Sequence, residues 1–459
     1  MRPARSRTVP SRILHGPLRS AVFLLALPVL GEQILNFLVG FYDVYLSGHL
    51  DESVRTSATA AVGVAAYVGW LASMVFSMVA TGTTALISRA WGAEDREQAN
   101  RVANRSVALA VIVGVGFLVL IYPAAPTVVR LMGLSGDAVP IAMRYLRIDA
   151  IGLVSSSLSL VLAAALRGSG DMRTPMWIFS LVNVVNILVS TVLVRGLWGG
   201  PELGVDGIVI GTLTARLIGG FLFVLILLKG VNGLRLQFRE FGVRGETVRR
   251  ILAVGAPAAG EGIVMWLGHC VFLRIISSLG PEEFAAHIIG VRVEAITYLP
   301  AVAWGAAAST MVGQSLGAGD STRARHAGHE AALQCALFGI LITFWFSLGA
   351  DWIYATMHRD PDVQAAGSFP FRIVGLFQIP LILAIVYSAG LRGAGDTRFP
   401  LYITLLTTYL LRIPVGYYLG VVCNLGLLGA WMGMNIDMLL RGVLSTWRYT
   451  AGGWTDTKI

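Results

Sequence analysis

Leu166-Arg167-Gly168-Ser169-Gly170-Asp171-Met172-Arg173-Thr174-Pro175 returns 225 residues later as Leu391-Arg392-Gly393-Ala394-Gly395-Asp396-Thr397-Arg398-Phe399-Pro400, with seven of ten positions identical. Gly92-Ala93-Glu94-Asp95 returns as Gly317-Ala318-Gly319-Asp320 at the same offset. Pro28-Val29-Leu30-Gly31-Glu32 pairs with Pro257-Ala258-Ala259-Gly260-Glu261 at 229, and Leu203-Gly204, Gly207 and Gly211 pair with Leu425-Gly426, Gly429 and Gly433 at 222. Four matches in one order at a nearly constant offset mark an internal duplication.

What is duplicated follows from composition. Of 459 residues, 55% are hydrophobic and 13% charged, where soluble domains carry about 25% charged residues. Mean hydropathy is +0.71. Too few polar residues exist to cover a water-facing surface, which excludes a soluble enzyme, a disordered region and a collagen-like rod. The chain reads as an all-α membrane protein. Cys270, Cys335 and Cys423 sit in apolar runs without metal-ligand spacing, and their odd number argues against a disulfide framework.

A bilayer core of about 30 Å needs roughly 20 apolar residues in a helix. Twelve such runs occur: 20–46, 60–88, 106–126, 142–165, 175–195, 205–228, 251–278, 287–315, 330–355, 370–390, 398–421 and 425–445. Each repeat holds six, predicting two six-helix bundles related by an axis along the membrane normal. The expected organisation is a tail (1–19), a first bundle (20–228), a linker (229–250), a second bundle (251–446) and a second tail (447–459).

The net charge of +9 forms no nucleic-acid face. Basic residues instead gather on one side of the bundles, in the N-terminal tail (Arg2, Arg5, Arg7, Arg12, Arg19), the 89–105 loop, both repeated loops, the linker and the C-terminal tail with Arg448 and Lys458. The other side offers only Arg55, Arg130, Arg144, Arg195 and Arg359. The positive-inside rule then puts both termini in the cytoplasm of a cell membrane. Only Lys229 and Lys458 stand against 33 arginines, a bias that suggests a GC-rich bacterial genome.

Pro28, Asp43-Val44-Tyr45-Leu46-Ser47-Gly48, the Gly92-Ala93 loop, Val312-Gly313-Gln314-Ser315-Leu316-Gly317-Ala318 and both Leu-Arg-Gly-x-Gly-Asp-x-Arg-x-Pro loops resemble the MATE family, the multidrug and toxic compound extrusion transporters. The resemblance covers nearly the whole chain. It implies twelve helices in two bundles and efflux of organic cations in exchange for protons or sodium.

Read for chemistry, the repeated loop ends one span and opens the next, with Gly terminating a helix and Pro starting one. No Gly-Lys-Ser/Thr follows, so it is no phosphate loop. Asp43 ends a long apolar run, and a carboxylate at membrane depth is a functional candidate by default. Its repeat counterpart is Phe272, which points to a cation site in the first bundle alone. Asn183 and Asn186 share one helix face, able to bond across helices or to offer carbonyl oxygens to an ion.

The resemblance sharpens this. In the DinF-like branch an Asn-x-x-Asn-x-x-x-Asp pattern completes the cation site with the first-span Asp; here it reads Asn183-Val-Val-Asn186-Ile-Leu-Val-Ser190, so one carboxylate is missing. The expected cation-binding set is Asp43, Asn183, Asn186 and Ser190. The NorM-like branch fits less well, because its two acids fall at Met265 and Leu381. Gln33, Asn36, Glu261 and Glu294 are the expected cavity residues, while the twinning of Glu261 with Glu32 also suits pairing at symmetric sites. Asp149 is expected near the interface beside Arg144 and Arg147. Arg216, Arg274 and Arg412 lie inside spans and must pair or reach water, with Asp43, Glu32 and Glu261 as candidate partners.

The sequence thus predicts a cation-coupled antiporter, proton rather than sodium, exporting small organic cations as a monomer in membrane lipid. It predicts no cofactor, metal or nucleic acid. A lipid-linked saccharide flippase is the alternative, though its usual extra spans and basic cavity are not found. An integral membrane enzyme would need a paired acid–base or metal cluster at one depth, and none is evident.

Overall fold

The computed structural model describes residues 16–50, 52–457 and 459. Arg2, Arg5, Arg7 and Arg12 of the expected tail, and Lys458, lie outside these. The first repeat builds α1 (Leu18–Gly48), α2 (Glu52–Gly92), α3 (Arg96–Leu131), α4 (Ala138–Gly168), α5 (Arg173–Arg195) and α6 (Val205–Lys229). The second builds α7 (Glu246–Ser277), α8 (Pro281–Gly317), α9 (Ser321–Met357), α10 (Pro361–Leu376), α11 (Gln378–Ala394), α12 (Arg398–Val422) and α13 (Gly426–Ala451).

Among the described residues, eleven of these helices can each cross a membrane by length and composition, and α10 with α11 make a twelfth crossing bent by 51°. Pro380 lies in the first turn of α11 and has no N–H for the carbonyl of Leu376, so the helical ladder breaks there. The Gln378 amide helps to cover the gap by donating to the carbonyl of Val374 at 2.9 Å. Large apolar side chains such as Trp177, Val119, Phe221 and Leu348 point outward, as expected where lipid is the solvent.

The repeated loops do the same local work twice. Asp95 and Asp320 cap α3 and α9, accepting from the amides of Gln98 (2.9 Å) and Arg323 (2.8 Å). Gly170 and Gly395 hold φ of +91° and +93°, a conformation that favours glycine. The glycine after each motif arginine lies against the second helix of its own repeat. A Cβ on Gly168 would stand 3.1 Å from the carbonyl oxygen of Thr84, and one on Gly393 2.2 Å from that of Ser309. Thr84 and Ser309 are themselves 225 apart, so the contact is duplicated with the sequence.

The chain forms two compact units, Gly31–Ala259 and, together, Gly260–Ile459 with the chain up to Leu30. Both divisions fall inside helices, three residues beyond Pro28 and Pro257. In the unit Gly31–Ala259, α2 and the start of α7 touch backbone to backbone. A Cβ on Gly255 would lie 1.6 Å from the carbonyl oxygen of Met78, and one on Gly82 2.2 Å from that of Ile251.

The segment between α6 and α7 is strapped to α3. Asn100 donates to the carbonyl of Gly233 (2.9 Å) and accepts from the amide of Arg235 (2.7 Å). One turn on, Asn104 donates to the carbonyl of Arg235 (3.2 Å) and accepts from the amide of Gln237 (2.7 Å). Two asparagines four apart on one helix face thus act as rungs for an extended chain.

Candidate functional site

Within Gly31–Ala259, α1 brings Glu32, Gln33, Asn36 and Asp43 to one helix. Glu32 is buried, and both of its oxygens accept from Arg167, at 2.6 and 2.7 Å. Both bonds come from Nη2, and charge-assisted bonds of this kind are short and strong. In the unit holding the second repeat, Glu261 pairs with Arg392 at 2.8 Å. Glu32 and Glu261 are repeat twins, and so are Arg167 and Arg392. The arginine of each Leu-Arg-Gly motif therefore ties its helix end to the acid that follows the proline of the first helix. The arginines expected inside spans do not take these acids. Arg216 goes to Asp149, Arg412 goes to Asp437, and Arg274 is exposed.

Asn183 is buried and donates to Asn36 Oδ1 at 2.9 Å, while Asn186 donates to Thr212 Oγ1 at 3.1 Å. The two amides bridge α5 to α1 and to α6. Asn186 Oδ1 stays buried without a donor. Ser190 donates to the carbonyl of Ile208 at 3.3 Å, and a Cβ on Gly211 would stand 2.2 Å from its Oγ. A small side chain is what the approach of α6 leaves room for at this position. Gln33 is half-buried on α1, and Asn36 is exposed apart from its bond to Asn183.

Asp43 is half-buried, and its Oδ1 is buried with no hydrogen-bond partner. Among the described residues no hydrogen bond joins it to Asn183, Asn186 or Ser190. Next to it in sequence, Tyr42 hydroxyl meets Thr191 Oγ1 at 2.6 Å and pins α1 to α5. Arg55 donates to the carbonyl of Leu50. The charges acting on Asp43 belong to Arg216 and Asp149.

Asp149 corrects an expectation. It does not pair with Arg144 or Arg147. Asp149 is buried on α4 and pairs with Arg216 of α6 at 2.8 Å, whereas Arg144 pairs with Asp206 and Arg147 donates to the carbonyl of Tyr122. The helical period explains the difference, since residues two and five positions away need not share a face with Asp149.

The second repeat carries a cluster that periodicity and motifs do not single out. Asp437 on α13 is fully buried and held by two arginines, Arg441 Nη2 at 2.7 and 2.8 Å and Arg412 Nη2 at 2.8 Å. Arg441 also donates to Met265 Sδ at 3.4 Å and to Thr408 Oγ1 at 3.2 Å. Arg412 closes a stretch of π-helical turns, Thr408–Arg412, in α12, a local widening common at functional sites. Glu294 on α8 is buried with Oε1 lacking a donor, and Arg412 is the opposite charge that acts on it. The acid with an arginine four residues later, Asp437 and Arg441 in an apolar run, was the available signal.

The MatE family model matches this chain twice, over residues 28–192 and 257–418. The chain belongs to the MatE family. The two matches coincide with the two repeats. The chain is 31% identical over 445 residues to a probable multidrug resistance protein NorM of Thermotoga maritima, covering 96% of this chain and 94% of that one. An uncharacterized transporter of Bacillus subtilis, YisQ, is 25% identical, covering 95% and 94%. Among solved structures, a MATE family transporter described as multidrug-resistance and outward-facing superposes with a TM-score of 0.88 at 22% identity, covering 97% of this chain and 99% of that one. The likeness at this identity establishes the all-helical MATE fold.

Proposed function

We propose that this MATE-family chain is a cation-coupled antiporter that exports organic cations by alternating access, with protons as the coupling ion. The observation that carries the reading is Asp43 Oδ1, a buried carboxyl oxygen that no hydrogen-bond donor reaches. Such an oxygen in a membrane-spanning helix is suited to take up and release a proton. Relatives named as multidrug resistance proteins support organic cations as cargo. The charge of the loops favours a cell-membrane protein with cytoplasmic termini.

In this mechanism, proton arrival at Asp43 in the outward-open state bends α1 at Pro28, shrinks the cavity of the first repeat and expels substrate. Proton release inward resets it. Asn183 and Asn186 hold the neighbouring helices in register, and Ser190 is a neutral neighbour. We assign the chain nearer the DinF-like branch than the NorM-like one. Asp43 with Asn183 and Asn186 supports that choice, and Met265 and Leu381 lack the acids of the other, although relatives carry the name NorM.

The test is efflux of a fluorescent organic cation from proteoliposomes under a proton gradient or a sodium gradient applied separately. Wild type should respond to protons, and Asp43→Asn should fall to the level of protein-free vesicles. Full proton-driven efflux by Asp43→Asn would refute the assignment. Sodium-driven efflux would mean that the neutral oxygens build a metal-ion site. Absence of efflux under both gradients would replace the reading with lipid-linked saccharide flipping.

A further inference from the structure

Counterpart residues of the two repeats make counterpart contacts. Glu32 with Arg167 and Glu261 with Arg392 are one ion pair made twice, and the approach of Gly168 to Thr84 returns as that of Gly393 to Ser309. The offsets of the duplication, 229 in α1, 225 into α5 and 222 in α6, also give counterparts for the candidate cation site. Asp43 corresponds to Phe272, Asn36 to Met265 and Asn183 to Thr408. The second repeat keeps no carboxylate and no amide at these three positions.

An arginine reaches each of them instead. Arg441 of α13 donates from Nη1 to Met265 Sδ at 3.4 Å and from Nη2 to Thr408 Oγ1 at 3.2 Å. The guanidinium carbon of Arg412 stands 5.8 Å from the centre of the Phe272 ring, within reach of a cation–π contact. Where Asn183 bonds Asn36 directly at 2.9 Å, a guanidinium joins their counterparts. Both arginines also hold Asp437, whose two oxygens both accept. The first repeat cannot build this cluster, because the counterparts of Asp437 and Arg441 are Ala215 and Gly219. A Cβ on Gly219 would already stand 2.7 Å from Val182 Cγ2. The acceptors of the first repeat stay open accordingly, with Asp43 Oδ1 and Asn186 Oδ1 buried and without donors.

We infer that the guanidinium of Arg441, with Arg412 beside it, is a resident cation that fills the second repeat's counterpart of the candidate cation site, and that it confines exchange of the coupling ion to the first repeat. A guanidinium stays charged at any pH a cell reaches and hands on no proton. Two arginines against Asp437 leave the place positive, which repels an entering cation. Glu261, the acid of α7, is committed to Arg392. This inference rests on Asp43 as the coupling acid and adds the number of places at which an ion is exchanged.

The test uses the full-length protein in detergent. Arg441→Ala removes the resident cation and leaves its cradle of Met265, Thr408 and Asp437. The melting temperature of this variant should rise with millimolar guanidinium chloride, as for any ligand that binds only the folded state. Sodium chloride at the same ionic strength should not raise it, and wild type and Arg441→Lys should not respond to guanidinium. A guanidinium response no greater in Arg441→Ala than in wild type would overturn the assignment of the site. The second measurement is proton release on adding an organic cation, followed with a pH-indicator dye. Wild type should release protons, and Asp43→Asn should release none. Partial release by Asp43→Asn would overturn the confinement to the first repeat, and Glu294, whose Oε1 is buried without a donor, would be the acid to replace next. Should Arg441→Ala not fold, the Arg441→Lys melting curve and the proton count decide. Undiminished release by Asp43→Asn, or none by wild type, would instead remove the reading beneath, so the two failures are distinguishable.

Discussion

Gly255→Ala is expected to abolish the folded protein, although it adds only a methyl group. The new Cβ would stand 1.6 Å from the carbonyl oxygen of Met78 and 2.6 Å from its carbonyl carbon. Both neighbours are helix backbone, so no side chain can turn aside. Overpacking a core commonly costs about 1–3 kcal/mol when side chains can adjust. Here α2 and α7 must move apart, which also separates Gly82 from Ile251. Gly116→Ala is the control, because a methyl group added there would meet nothing within 4 Å. Relief of glycine's flexibility there should stabilise by about 0.5–1 kcal/mol. Size-exclusion profiles and melting curves in detergent check both. Similar behaviour of the two variants would mean that α2 and α7 do not approach this closely.

Asp437→Asn is expected to be nearly as damaging for a different reason. The carboxylate is fully buried, and it satisfies Arg412 and Arg441 together. Removing one partner of a buried ion pair typically costs about 3–5 kcal/mol, because the remaining charge is stranded. Two charges would be stranded here, with Arg412 Nε and Arg441 Nε already buried and without partners. The melting temperature should fall further than in Arg412→Leu or Arg441→Met alone. The triple variant with Asp437→Leu should recover most of the loss, since apolar replacement of a whole buried charge set is often neutral. A triple variant no more stable than Asp437→Asn would show that charge stranding is not the cause.

These two sites mark the limits of what the sequence discloses. The duplication, the apolar spans and the helix-ending and helix-starting roles of Gly and Pro in the repeated loops rest on local rules, and a single chain carries them in full. The close approach at Gly255 is invisible in sequence because its partner, Met78, lies 177 residues away and contributes backbone rather than side chain. Pairing fails for the same reason. Glu32 and Glu261 are recognisable as twins, and so are Arg167 and Arg392, but nothing local says that one set holds the other. Asp149 is deceptive because nearness along the chain to Arg144 and Arg147 competes with nearness in space to Arg216. The candidate cation site is legible as residue types, Asp43 with Asn183 and Asn186. Its division of labour is not, because amides that could face an ion instead join helices.

The segment between α6 and α7 has a consequence for taking the protein apart. Along the chain, residues 229–250 look like slack between two modules, an obvious place to open the backbone or to insert a reporter. The four hydrogen bonds from Asn100 and Asn104 remove that slack, and the compact unit continues without a break to Ala259. Tolerance of a cut depends on the bonding of the backbone affected rather than on its distance from a span. A split protein divided at residue 235 would deprive its first piece of a stretch that fastens to α3 and of the helix start that locks against Gly82. The modular unit of evolution, the repeat, and the modular unit of assembly have different ends in this chain.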